Sequence, residues 1–262
     1  MKILLCLNHD IFSIMSLNLL LPFLEKNSIA FNILMTKSVG QAVISDITKI
    51  EKIIPLEGIL PTVERLNITG KYLSLERIIK KYACDFHFVP TINNDFGLKR
   101  IAQHDLIVSV RFGSIFKQPA ISMANRPIIN VHSAILPDYK GTLGTFRALK
   151  DRNEIIGATI HTISDGTIDT GDIIKIVSFK ANYETTLFDN LLNLYQKAIP
   201  ALGDIITQII NGDAIQSYPQ DANKGLYFSN PSIIEIDNFK QNIMPIYNQG
   251  DIEKMIGLFD KK

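Results

Sequence analysis

Four short, mainly apolar runs, at residues 2–7, 30–35, 106–111 and 128–131, limit what this chain can fold into. Strands of that kind are buried on both faces, as in a sheet covered by helices on either side. Between them lie segments of helical character. One runs to residue 24 after Asn8-His9-Asp10, one follows the capping Ser74, and a short one spans 98–104. A further strand is expected at 86–89. Segments 158–163 and 172–179 also read as strands, but too few residues separate them for a crossover helix, so they should pair antiparallel.

This alternation predicts an α/β fold, a mostly parallel Rossmann-like sheet with helices on both faces. Region 39–72, broken by Pro55, Gly58, Pro61 and Gly70, should form helical pieces and loops, and 145–150 a short helix. Residues 185–212 carry a core-facing stripe of Leu187, Leu191, Leu194, Leu202, Ile205, Ile206 and Ile209, with Pro200 expected to kink or split the helix. A linker at 219–225 would separate a catalytic domain, 1–218, from a small C-terminal appendage, 219–262. That appendage is too short for its own core and should pack on the domain or on a partner subunit.

The 262 residues carry a formal net charge of +1, which leaves no electrostatic footprint for nucleic acid or a membrane. Cys6 and Cys84 suit buried free thiols in a reducing compartment. The apolar runs at 2–7 and 17–24 are too short for a signal-peptide core or a membrane span, so a cytoplasmic protein is expected.

The chemistry concentrates in two segments, IINVHSAILPDYKG at 128–141 and ISDGTIDTGDII at 163–174. Residues two apart on a strand share a face, so Asn130 and His132 should project together. An amide donor beside an imidazole suits stabilisation of an oxyanion and transfer of a proton. A carboxylate from the second segment would then orient and charge the imidazole. Ser133 faces the other way, which argues against a serine–histidine couple. Asn8 and Asp10 follow the first strand, where open α/β sheets place ligands, although both residue types also cap helices. Asp165-Gly166 is a turn signal, and neither the aspartates nor His9, His87, His104 and His161 have metal-site spacing, so no metal is expected. G-T-L-G-T-F lacks the context of a dinucleotide fingerprint.

Together, N-V-H-S-x-x-L-P-D-Y-K-G and S-D-G-x-I-D-T-G-D-I-I resemble the formyltransferase superfamily, which uses 10-formyltetrahydrofolate. The resemblance implies Asn130, His132 and Asp169 as catalytic residues. It implies a folate pocket made by Arg111, Phe112, Gly113, Ser114 and Phe116 with Ile163, Asp165 and Gly166. Asn8, Asp10, Tyr139, Lys140 and Gly141 are expected on the acceptor. D-L-I-V-S-V-R-F-G-S-I-F, K-G-T-L-G-T-F-R-A-L and G-L-Y-F-S-N-P-S resemble sugar N-formyltransferases. They imply an acceptor such as dTDP-4-amino-4,6-dideoxyglucose, a role in surface polysaccharide (O-antigen, lipopolysaccharide) synthesis, and a homodimer. Arg147 departs from an aromatic residue common in relatives, and it, Arg111 and Lys140 are candidates for the acceptor's diphosphate.

Two related enzymes, methionyl-tRNA formyltransferase and formyltetrahydrofolate hydrolase, fit less well, and the hydrolase and glycinamide ribonucleotide formyltransferase are kept as the enzyme alternatives. A methionyl-tRNA formyltransferase is expected to carry a larger, basic C-terminal domain, and a formyltetrahydrofolate hydrolase an additional module before the core. A glycinamide ribonucleotide formyltransferase is expected to end near the long helix. The alternative outside enzymes is a module that binds nucleotide sugar or folate without turnover. Tyr227 and Phe228 are expected to pack the C-terminal segment rather than to stack on a nucleobase.

Overall fold

The computed structural model describes residues 1–38, 44–221 and 223–260. Strands β1 (Lys2–Asn8), β2 (Ala30–Thr36), β3 (Phe86–Phe88), β4 (Leu106–Val110) and β5 (Ile128–His132) build the parallel part of a seven-stranded sheet. Strands β7 (Ile155–Ile163) and β8 (Ile173–Lys180) extend it antiparallel, giving the order β3-β2-β1-β4-β5-β7-β8. The central strands β1 and β4 are apolar on both faces because helices cover both, as their composition requires.

Helix α1 (Ile11–Lys26) starts where Asp10 accepts the Ser13 amide, and it packs against α8 (Leu187–Asn211). At that crossing a Cβ on Gly203 would lie 2.4 Å from the Phe23 ring, so only glycine lets the two helices approach this closely. Helix α8 runs unbroken through Pro200, contrary to the expected split. Proline removes one intrahelical donor, and the buried Ala198, Ile199, Ala201 and Leu202 around it keep the helix seated on the core. Region 39–72 contains α2 (Asp46–Thr48), a π-helical stretch (Lys49–Ile59) and α3 (Leu60–Arg65); its first part, 39–43, lies outside the described residues.

Helix α4 (Leu75–Tyr82) begins at Ser74 as its cap predicts. Helix α5 (Asp95–Ala102) begins earlier than expected, because Asn94 caps it by accepting the Gly97 amide. The six-residue α6 (Gln118–Met123) is too short to leave a periodic signal. Cys6 and Cys84 are free and buried, and no described helix is long and apolar enough to cross a membrane.

The C-terminal segment forms α9 (Ile233–Asn242) and α10 (Gln249–Phe259), each opened by a capping box. Its apolar side chains join the main core. Phe239 stacks on Phe146 of α7 (Gly144–Lys150) with ring centroids 4.5 Å apart, and Met244, Ile246, Met255 and Phe259 belong to the same buried cluster. Strand β9 (Leu226–Phe228) pairs in parallel with β6 (Tyr139–Gly141) in a separate two-stranded sheet. Arg147 clamps the junction. Its guanidinium donates to Glu235 at 2.7 Å and to the Ser229 carbonyl at 2.9 Å, and it lies over the Phe228 ring.

Removing Phe239 should therefore destabilise the whole chain. Phe239→Ala is expected to cost about 3–5 kcal/mol, lowering the Tm of one cooperative transition by roughly 10 °C. A tail that melted separately, with the main transition unmoved, would show that this stack does not tie it to the core.

Candidate active site

Asn130 and His132 project from β5 into a cavity of about 370 Å³. Strand β7 lies antiparallel beside β5 and sets His161 directly opposite Asn130, at the distance where cross-strand side chains meet. Asn130 Nδ2 is 3.0 Å from His161 Nε2. His161 Nδ1 lies 2.8 Å from the Thr162 carbonyl, which can only accept, so Nδ1 carries a hydrogen. His161 was absent from the sequence-derived site, because nothing in one strand tells which residue of the next will face it.

Asp169 enters from the loop between β7 and β8. Its backbone is left-handed, φ 56°, a conformation that aspartate tolerates better than most residues. Gln220 braces this loop by donating to the carbonyls of Asp169 and Gly171, at 3.0 and 2.7 Å. At Gly171 a Cβ would sit 1.8 Å from the Thr162 carbonyl oxygen, so the loop folds back onto β7 only with glycine there. So held, the carboxylate has Oδ2 3.4 Å from His132 Nδ1 and Oδ1 3.4 Å from His161 Nε2. The Gly141 amide donates to Oδ2 at 2.7 Å. His132 Nε2 donates to the Tyr139 carbonyl at 2.6 Å, so both of its ring nitrogens face oxygen acceptors. The structure thus brings Asn130, His132 and Asp169 together and adds His161 to them.

Burial alone would raise the Asp169 carboxyl. The positive ends of His132 and His161 and the Gly141 N–H outweigh burial and hold it at about 2. Asp169 therefore stays a carboxylate at any ordinary pH.

The loop after β4 supplies another wall. Phe112, Gly113, Ser114 and Phe116 line the cavity, as do Ile163 and Gly166 from the facing loop, where expected. Gly113 sits so close to the Ser38 carbonyl that a Cβ would come within 2.0 Å of it. Asn8 and Gly141 also reach the cavity.

Five expected binding residues have other work. Asp10 is fully buried, caps α1, pairs with Arg111 Nε at 2.9 Å and does not line the cavity. Arg111 touches the cavity, but its guanidinium is committed to Asp10, to Glu51 at 2.8 Å and to the Tyr195 hydroxyl at 3.2 Å. Tyr139 turns its hydroxyl to Asp151 at 2.9 Å, and Lys140 donates to the Lys224 carbonyl at 2.7 Å. Asp165 holds its own turn by accepting from the backbone and hydroxyl of Thr167. Arg147 is engaged at the C-terminal junction and does not line the cavity. Tyr227, expected in packing, stands more than half exposed at the cavity wall, with Asn230 and Pro231 near it.

Residues 96–199 match the model of the formyl transferase family. The matched segment covers less than half of the chain. It contains Asn130, His132, His161 and Asp169. Methionyl-tRNA formyltransferase of Blochmanniella pennsylvanica (strain BPEN) is 33% identical over 169 residues, 62% of this chain and 51% of the relative. The chain spans about half the length of the curated relatives it matches. In fold, it is similar to an N-formyltransferase from Helicobacter canadensis crystallised with folinic acid and dTDP-3-aminofucose. That match has a TM-score of 0.61 at 20% identity and covers 99% of this chain and 80% of that one. A formyltransferase from Anoxybacillus kamchatkensis, crystallised with tetrahydrofolate and a UDP-linked 4-formamido-4,6-dideoxy sugar, gives a TM-score of 0.52 at 20% identity. It covers 99% of this chain and all of that one.

The depressed Asp169 carboxyl has a consequence for stability. A group whose folded pKa lies below its unfolded value of 3.8 stabilises the fold above that pH, and the contribution disappears as pH falls toward about 2. The stability difference between the wild type and Asp169→Asn should shrink as pH falls from 4 to 2 in urea denaturation. A difference independent of pH across that window would mean that the carboxylate does not carry this charge.

Proposed function

We propose that this chain transfers a formyl group from 10-formyltetrahydrofolate to the amine of a nucleotide-linked amino-dideoxy sugar. The observation that carries the reading is the Asp169 carboxylate, buried between His132 and His161 at the cavity within the formyl transferase segment. In the reaction the amine nitrogen attacks the formyl carbon. The carbonyl oxygen gains charge, the bond from that carbon to N10 of the folate breaks, the amine loses a proton and N10 gains one. Products are a formamide and tetrahydrofolate.

The residues suit those needs. Asn130 brings two amide hydrogens to the cavity, where one can meet the developing oxyanion. The Asp169 carboxylate orients the His132 ring, and His132 is the proton-carrying group placed beside Asn130 for transfer to the leaving nitrogen. The slot of Phe112, Phe116 and Ile163 suits a flat pterin.

The choice of a sugar acceptor draws on the structural relatives, whose bound ligands are a dTDP-linked and a UDP-linked sugar and which match almost the whole chain. dTDP-4-amino-4,6-dideoxyglucose is an acceptor of the same class. Methionyl-tRNA as acceptor is the second reading, favoured by the curated relatives in sequence.

Incubation with 10-formyltetrahydrofolate and a panel of dTDP- and UDP-linked amino sugars should give one product heavier by a formyl group in mass spectrometry. Formylated methionyl-tRNA would favour the second reading, and formate release without any amine would indicate hydrolysis. Binding of either ligand with no product would leave a silent module. Asn130→Ala and Asp169→Asn should lower turnover by about a hundredfold or more, with the thermal transition retained. Turnover near wild type in either variant removes that residue from the mechanism.

A further inference from the structure

A nucleotide-linked acceptor brings two phosphates, and the cations first expected to meet them are occupied elsewhere. Arg111 is neutralised by Asp10 and Glu51, Arg147 is clamped to Glu235, and Lys140 donates to the Lys224 carbonyl. Among the described residues, the lysine that lines the cavity is Lys52, on the π-helical stretch. It is half-buried, and one of its three N–H donors goes to the Lys37 carbonyl at 2.7 Å. Ser45 and Thr48 also line the cavity, with their hydroxyls 3.4 Å apart and Ser45 Oγ accepting the Thr48 amide.

Next to Lys52, Glu51 supplies an independent observation. Its carboxylate is 6% exposed and one oxygen pairs with Arg111, but Oε1 has no donor among the described residues. A buried acceptor without a donor is costly, and a bound hydroxyl or amine would relieve it. A cation and an unpaired acceptor lining one cavity suit a ligand that carries phosphate oxygens and sugar hydroxyls together.

The loop after β4 links this corner to the rest of the cavity. Arg111 at its start holds Glu51, and the Phe116 carbonyl at its end lies 3.3 Å from where a Cβ of Gly166 would stand. Its aromatic part therefore faces the aspartate loop, and its charged part faces Lys52. A flat heterocycle belongs in the first region and an anion in the second.

Resting on the reading of a nucleotide-sugar acceptor, we propose that Lys52, with the hydroxyls of Ser45 and Thr48, holds the phosphate groups of that acceptor. Charge-assisted hydrogen bonds of this kind contribute about ten- to a hundredfold in affinity. The carboxylates of a folate tail share the anionic chemistry, so the experiment must separate the two sources.

Calorimetric titration of the full chain with dTDP and with UDP should show one of them binding, with Kd raised about tenfold or more in Lys52→Met and largely restored in Lys52→Arg. In steady-state assays the KM for the nucleotide sugar should rise in Lys52→Met while the KM for 10-formyltetrahydrofolate does not. Three results overturn the proposal. These are no binding of either nucleotide, nucleotide binding that ignores the substitution in a folded variant, and a KM effect confined to the folate, which would place a folate carboxylate on Lys52. If a nucleotide binds in a Lys52-dependent way and no amino sugar is formylated, the anion site stands and the reaction assigned above fails.

Discussion

A buried carboxylate cannot remain charged without compensation, and the candidate site is arranged around the compensation of Asp169. Three partners from three parts of the chain converge on its two oxygens: His132 from β5, His161 from β7 and the Gly141 amide from β6. Each is brought by a different structural device. Antiparallel register brings His161, strand periodicity brings His132 to the face of Asn130, and β6–β9 pairing fixes the segment that contains Gly141. The aspartate itself needs a left-handed backbone and a bracing glutamine.

The C-terminal segment thereby becomes part of the site. Strand β9 pairs with β6, whose Tyr139 carbonyl receives His132 and whose Gly141 amide meets Asp169, and Tyr227 of β9 forms cavity wall. Arg147 joins the two regions through Glu235 and the Ser229 carbonyl. A segment that reads as an appendage in sequence thus supports the candidate site through backbone pairing.

The sheet was legible because its central strands are apolar on both faces, and a run such as residues 106–110 has few other uses. Asn130 and His132 were legible because strand period two is strict, and Asp169 because the composite motif resembles a family. What escaped depended on contacts distant in sequence. The Arg111–Asp10 pair spans 101 residues, and it converted two expected ligand contacts into an internal ion pair. His161 became visible only once register set it opposite Asn130. Tyr139 and Lys140 were expected at the substrate because the motif contains them, yet in β6 the contacts to His132 and Asp169 come from the backbone while these side chains turn to Asp151 and Lys224. Pro200 failed to break α8 because a buried helix loses one hydrogen bond there and keeps its packing.

If the carboxylate acts through the imidazole, the two side chains form one functional unit. The most direct measurement is a double-mutant cycle on kcat with His132→Ala, Asp169→Asn and the combination. The double variant should be no slower than the worse single variant, because either substitution already dismantles the unit. Losses that multiply, with the double variant slower by the product of both single effects, would show that Asp169 and His132 act independently and would contradict the account.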